Sequence, residues 1–165
     1  MKTVRVKMKN HGAFSFTIKE EIAPKAVARM LAMIEMKKYD GKVIERLEPG
    51  FVIQPLFQDG VDEEIDVMVE PEYETVPENH AMKFERGTVA MAGDGKKASG
   101  SQFFVTLDRQ ERLDGKFTVI GEIVDGWEEI ERLEAVSVVE CIDEPSGFVY
   151  HKPEIAEVVE SVVVE

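Results

Sequence analysis

Arg46 is the residue whose setting most invites a chemical reading. It lies in the stretch VIERLEPGFVIQ, residues 43–54, as a lone cation between Glu45 and Glu48. A Pro49-Gly50 turn and a second apolar run ending in Gln54 follow it. The residue types that usually break bonds are present but not arranged to do so. His11, His80 and His151 sit in turn-like polar contexts without metal-ligand spacing, so they read as surface histidines. Cys141 precedes an acidic turn with no base beside it, which reads as an idle thiol. Residues 92–101, AGDGKKASGS, lack the Gly-Lys-Ser/Thr order of a phosphate loop and lie between two strands rather than ahead of a helix. Asp62-Glu63-Glu64 lacks the calcium-loop pattern and reads as a solvated loop. What remains is chemistry by positioned donors around an apolar pocket.

The elements that must position such donors are legible in the hydrophobic pattern. Val4, Val6 and Met8 alternate with polar residues, as do Phe14, Phe16 and Ile18 beyond the turn Asn10-His11-Gly12. The pattern predicts a hairpin. Pro24 suits a first helical position, and Val27, Met30, Leu31 and Ile34 form the stripe of an amphipathic helix. Strands are expected over 42–47, 51–54, 66–69, 87–92, 101–107, 117–124 and 154–164, with residues 55–80 otherwise acidic and irregular. Trp127, Ile130 and Leu133 predict a second helix. Many short strands with two helices point to an antiparallel sheet or barrel with helices packed outside.

Composition sets the outer limits. The chain has 165 residues, enough for one domain with a real core, and nothing in residues 1–165 suggests a repeat or a linker that would split it. Its apolar runs are far shorter than the roughly 20 residues of a membrane span, and Met1 to Asn10 has no apolar h-region. A formal charge of -13 speaks against nucleic acid or anionic membrane as a partner. The single cysteine permits no internal disulfide and fits a cytoplasmic location.

Several collinear segments resemble the cyclophilin-type peptidyl-prolyl cis-trans isomerases. They are Ile22-Ala23-Pro24-Lys25-Ala26-Val27, Tyr39-Asp40-Gly41 with Ile44-Glu45-Arg46, Pro49-Gly50-Phe51-Val52-Ile53-Gln54, and Arg86-Gly87-Thr88-Val89-Ala90-Met91-Ala92. Ser99-Gly100-Ser101-Gln102-Phe103-Phe104-Val105-Thr106 and Leu113-Asp114-Gly115-Lys116-Phe117 continue the series. The resemblance implies an eight-stranded antiparallel β-barrel capped by two α-helices. It implies an enzyme that rotates X-Pro peptide bonds in unfolded or flexible proteins, without cofactor or metal and as a monomer.

By the same resemblance Arg46 is the catalytic arginine. Phe51, Phe104 and Leu113 line the proline pocket, with Val52 where methionine is usual. Gln54 and Gln102 bond the substrate backbone, and Ala92 and Gly93 flank the bound peptide, Gly93 standing where asparagine is common. Phe117 replaces a histidine at the pocket edge, and Arg112 replaces a tryptophan that helps hold cyclosporin, so weak cyclosporin binding is expected. Glu45 stands where histidine is usual, and Pro55-Leu56-Phe57 replaces a Gly-Gly-Asp turn. These departures keep a second expectation open: a proline-peptide-binding module or chaperone that uses the same groove with little or no catalysis.

Overall fold

Alternating burial builds the sheet. Val4, Val6 and Met8 of β1 (Thr3–Met8) are fully buried while Arg5 between them is exposed. Phe14 and Phe16 of β2 (Ala13–Thr17) face the same interior. The computed structural model describes residues 2–55, 68–93 and 98–165. The Leu56-Phe57 departure, the Asp62-Glu63-Glu64 loop, the start of the strand expected over 66–69, and residues 94–97 of the glycine-rich segment lie outside the described residues.

The remaining sheet strands are β3 (Arg46–Glu48), β4 (Val52–Gln54), β5 (Thr88–Gly93), β6 (Ala98–Thr106), β7 (Val119–Asp125) and, after a separate hairpin of β8 (Val138–Asp143) and β9 (Phe148–Pro153), β10 (Val159–Val164). They form one eight-stranded sheet in the order β10-β1-β2-β7-β5-β6-β4-β3, with every pairing antiparallel. The sheet curls until its ends meet. Val43 bridges Val158, and the Ile44 N–H donates to the Glu157 carbonyl at 2.9 Å. This is the expected eight-stranded antiparallel barrel. β7 passes very close to β2 at Gly121. A Cβ on Gly121 would lie 1.7 Å from the Thr17 carbonyl oxygen, so the two backbones meet with no room for a side chain.

The two expected helices cover the barrel. α1 (Pro24–Glu35) begins at Pro24 and buries Ala26, Val27, Met30, Met33 and Ile34. Beyond the two single-turn helices α2 (Glu72–Thr75) and α3 (Pro77–His80), α4 (Trp127–Glu134) buries Ile130 and Leu133. The single turns fall in the stretch read as irregular, and each of their buried polar residues has a job elsewhere. Ala23, the cap residue of α1, supplies no side-chain bond. The carboxylate of Glu72, 1% exposed, takes the role from across the chain and accepts the Lys25 N–H at 3.0 Å and the Ala26 N–H at 2.9 Å. Asn79 donates to the carbonyls of Ile22 and Val119 at 2.9 Å each and accepts the Val119 N–H at 3.1 Å.

Two strand boundaries need correction: the strand expected over 42–47 is regular only from Arg46, with Val43 an isolated bridge before it. The terminal strand begins at Val159, not 154. The β8–β9 hairpin forms its own two-stranded sheet and was not legible in the pattern. Its residues are half-buried or exposed almost throughout, so no clean two-residue hydrophobic alternation marks them. In the middle of the chain, Val69 makes an isolated bridge to Ala98.

Candidate active site

The Pro49-Gly50 turn brings the two halves of the opening motif face to face. The Phe51 N–H donates to the Glu48 carbonyl at 2.9 Å, with proline at the second turn position and Gly50 at φ +76° in the third. A residue with a Cβ adopts that positive φ only at a cost, so glycine suits the place. The resulting register sets Arg46 opposite Gln54, Leu47 opposite Ile53 and Glu48 opposite Val52. Directly opposed side chains share a face of the sheet. Leu47 and Ile53, both 0% exposed, point into the barrel core, and Arg46 and Gln54 therefore share the other face. Glu45, which precedes β3, does not join this face. Glu45 lines a separate cavity with Val43, Tyr150 and Lys152.

The next layer comes from β6, which pairs with β4 through Val52–Thr106 and Ile53–Val105. Phe103 enters the main core and packs edge-on against Tyr39 with centroids 5.5 Å apart. Phe104 faces the other way. Its ring stacks on Phe84 at 6.1 Å and meets Phe117 edge-on at 5.6 Å. Phe104, Val52, Ala90 and Val119 form a second apolar cluster, with Phe51, Ala92, Leu113 and Phe117 packed against it. Gln102 lies on the Phe104 side, and its Oε1 accepts a 3.4 Å bond from Gln54 Nε2.

These side chains enclose an open cavity of about 350 Å³. Arg46, Phe51, Val52, Gln54, Ala92, Gly93, Gln102, Phe104, Leu113 and Phe117 line it, so the structure brings together every expected site residue except one. Arg112 stands outside the lining. It sits on a one-turn 3₁₀ helix (Glu111–Leu113), is exposed, and places its guanidinium 4.7 Å over the Phe51 ring. The helix turns Leu113 inward and Arg112 outward, which a linear match could not distinguish. Two lining residues, Met68 and Ser99, were missed. Met68 falls in the strand expected over 66–69, where nothing marked it as a site residue. Strand alternation should put Ser99 on the face opposite Gln102. The Ser99 hydroxyl instead accepts the backbone N–H groups of Ser101 and Gln102 at 3.1 and 3.0 Å, a local bond that perturbs the strand just before the site residues.

Leu113 is held by an ion pair. Asp114 Oδ1 accepts from Arg109 Nη1 at 2.8 Å and from the Phe84 N–H at 2.9 Å, while Oδ2 accepts from Arg109 Nη2 at 2.6 Å. The hydrogen bonds from Arg109 hold the Asp114 carboxyl below the usual carboxylate range, and the same pairing raises Arg109. Gln110 Nε2 reaches the Gly50 carbonyl at 3.2 Å and so ties this loop to the turn that carries Phe51.

Arg46 itself is fixed on several sides. Its side chain is only 17% exposed, and its Nε donates to Glu48 Oε2 at 3.1 Å. Its Cζ lies 5.6 Å from the Phe51 centroid and 5.3 Å from that of Phe148. With Nε committed to Glu48, donation to a ligand in the cavity falls to the Nη groups. The arrangement is a fixed cation beside an aromatic socket and two amides. It can hold an apolar ring, bond the flanking peptide groups and present a donor to one atom between them.

The family description "cyclophilin type peptidyl-prolyl cis-trans isomerase/CLD" matches residues 3–159. The chain belongs to this family. The chain is 33% identical over 132 residues to a mouse protein named peptidyl-prolyl cis-trans isomerase-like 3, an alignment covering 80% of this chain and 82% of that one. It is 35% identical over 138 residues to peptidyl-prolyl cis-trans isomerase-like 2 of Cryptococcus neoformans. That alignment covers 82% of this chain but spans only 24% of the longer fungal protein. Among solved structures, a cyclophilin type isomerase of Cryptosporidium parvum, crystallised in the presence of the dipeptide Ala-Pro, superposes with a TM-score of 0.80 at 25% identity. That match covers 99% of this chain and 98% of the other. As a cyclophilin, the chain owes its socket to β3, β4, β5 and β6 and to the loop stapled by Asp114.

Proposed function

We propose that this cyclophilin accelerates rotation about X-Pro bonds in flexible or unfolded chains, with Arg46 as its catalytic residue, and that it works in the cytoplasm. One observation carries the catalytic reading. Arg46, Gln54 and Gln102 converge on one cavity whose apolar wall is Phe51, Phe104 and Leu113. The prolyl amide is held planar by resonance against a barrier of about 18–20 kcal/mol. Its cis and trans forms are close in energy, so only the barrier needs lowering. In the twisted state the prolyl nitrogen regains a lone pair and becomes an acceptor. A guanidinium already fixed beside it stabilises that state far more than the planar one, which is the requirement for catalysis. The aromatic socket holds the proline ring while Gln54 and Gln102 orient the flanking backbone.

One preorganised donor of this kind contributes about 3 kcal/mol, or roughly a hundredfold in rate. Arg46→Ala should lower kcat/KM on a short X-Pro peptide by about that factor while the thermal transition stays cooperative. Exchange NMR, or a protease-coupled assay with protease-resistant variants, reads the rate. Full activity in Arg46→Ala would remove the mechanism. A wild type that binds proline peptides without accelerating them would mark the groove as a binding module instead. The compartment is supported by the lone Cys141 and is tested by fractionating the native host. Cyclosporin binding should be weak, because exposed Arg112 covers Phe51 where the family often has tryptophan.

A further inference from the structure

The β8–β9 hairpin adds no strand to the barrel, yet it meets both members of the Arg46–Glu48 pair. His151 uses two groups on Glu48. Its Nδ1 lies 2.7 Å from Glu48 Oε1, and its backbone N–H donates to Glu48 Oε2 at 3.2 Å. Glu48 Oε2 is also the atom that accepts from Arg46 Nε. At the first residue of β9, Phe148 places its ring 5.3 Å from Arg46 Cζ. The hairpin's turn is internally braced. The Gly147 N–H donates to the Asp143 carbonyl at 2.7 Å, and the Ser146 hydroxyl bonds the Asp143 carboxylate. The Phe148 ring stacks in turn on Tyr150, centroids 6.3 Å apart and planes within 13°.

Phe148 is 42% exposed, too open for a core residue whose role is burial. What its ring face covers is the guanidinium. A cation near an aromatic face is held by the ring quadrupole, and an arginine so held loses little further freedom when it donates. Such a residue raises the rate without adding a substrate contact, because it fixes the donor before the substrate arrives.

We infer that Phe148 is a positioning residue for the proposed reaction: the β8–β9 hairpin, anchored by His151 on Glu48, clamps the Arg46 guanidinium in its donating orientation. This rests on Arg46 being the catalytic residue. Leucine at position 148 would keep apolar bulk but has no quadrupole, whereas tyrosine keeps both. Phe148→Leu should therefore lower kcat about fivefold, the factor a half-exposed cation–π contact carries, with KM within twofold of wild type. Phe148→Tyr should restore kcat. In an Arg46→Ala background, Phe148→Leu should cost nothing further.

The ¹H–¹⁵N resonance of Arg46 Nε gives a readout independent of turnover. It should shift in Phe148→Leu and return in Phe148→Tyr. Equal kcat in wild type and Phe148→Leu overturns the inference, as does a loss confined to KM or one that tyrosine fails to rescue. Should the wild type show no isomerase activity, the proposed function fails. The Nε resonance then still decides whether Phe148 holds Arg46, and an unshifted resonance overturns the clamp.

Discussion

Glu72→Gln should unfold this protein far more easily while leaving its cavity intact. The two N–H groups at the start of α1 donate to separate oxygens of the Glu72 carboxylate, Lys25 to Oε2 and Ala26 to Oε1. Pro24, at the first helical position, has no N–H to satisfy. A carboxylate can therefore cap this helix completely with two acceptors. Glutamine is nearly isosteric but offers one acceptor and turns an NH₂ group toward the other donor. At a site 1% exposed, an N–H left without a partner costs about 1–3 kcal/mol. Loss of the negative charge at the positive end of the helix dipole adds about 0.5–1 kcal/mol. The sum is about 3 kcal/mol. For a domain of this size, that lowers the melting temperature by about 6–12 °C.

The assay is guanidinium denaturation of wild type and Glu72→Gln, with the slope m compared first, since an altered slope would signal a changed denatured state. Isomerase activity at low temperature serves as the control. None of the cavity-lining residues lies on α1 or α2, so kcat/KM should stay within about twofold. A stability change under about 0.5 kcal/mol would show that Glu72 does not cap α1. A parallel loss of activity with stability retained would show that the segment serves the site rather than the helix.

Two further outcomes follow from charged groups around the socket. Asp114 is held below its ordinary value by Arg109, so the loop's ion pair contributes stability above the unfolded carboxylate pKa of about 3.9 and loses it as pH falls through the lower folded value. Asp114→Asn should therefore raise KM at neutral pH, because the loop carrying Leu113 loosens, and its stability difference from wild type should shrink below about pH 4. A difference that persists unchanged at pH 2 would contradict the assignment. Arg112→Trp should tighten cyclosporin binding by tenfold or more in calorimetry, and unchanged affinity would show that the departure at position 112 does not set the drug's affinity.

Much of this fold was legible because burial and sequence period agree. The stripe of α1 and the alternation of β1 and β2 each mark a surface with one wet side. The hairpin escaped because neither side of it is dry: Ile142, Phe148 and Val149 are all more than 40% exposed. The single turns α2 and α3 escaped for another reason. Each is four residues long, too short for helical periodicity to show, and each is retained for buried hydrogen bonds to distant backbone, which no local pattern records. The cavity residues were legible through their motifs, and strand alternation sorted Phe103 from Phe104. It failed at Ser99, where a local side-chain bond perturbs the strand, while the linear motif match failed at Arg112, which a 3₁₀ turn faces outward.

An arginine on a half-buried strand is costly unless its charge is matched. Here the charge is matched by Glu48 within the opening motif, and the groups that hold this pair in place come from outside it. Glu48 is supplied locally, but Phe148 and the partner of Glu48, His151, arrive from about a hundred residues further along the chain. That division explains why Glu45, the neighbouring carboxylate and the oddest residue of the motif, bears so little on the site. It lines a separate cavity beside Tyr150 and Lys152, while Glu48, two residues beyond Arg46 and on the same face, binds the guanidinium. A histidine in place of Glu45 would face that same cavity. The loss of the residue usual there therefore changes the flank of the hairpin rather than the donor proposed to face the proline.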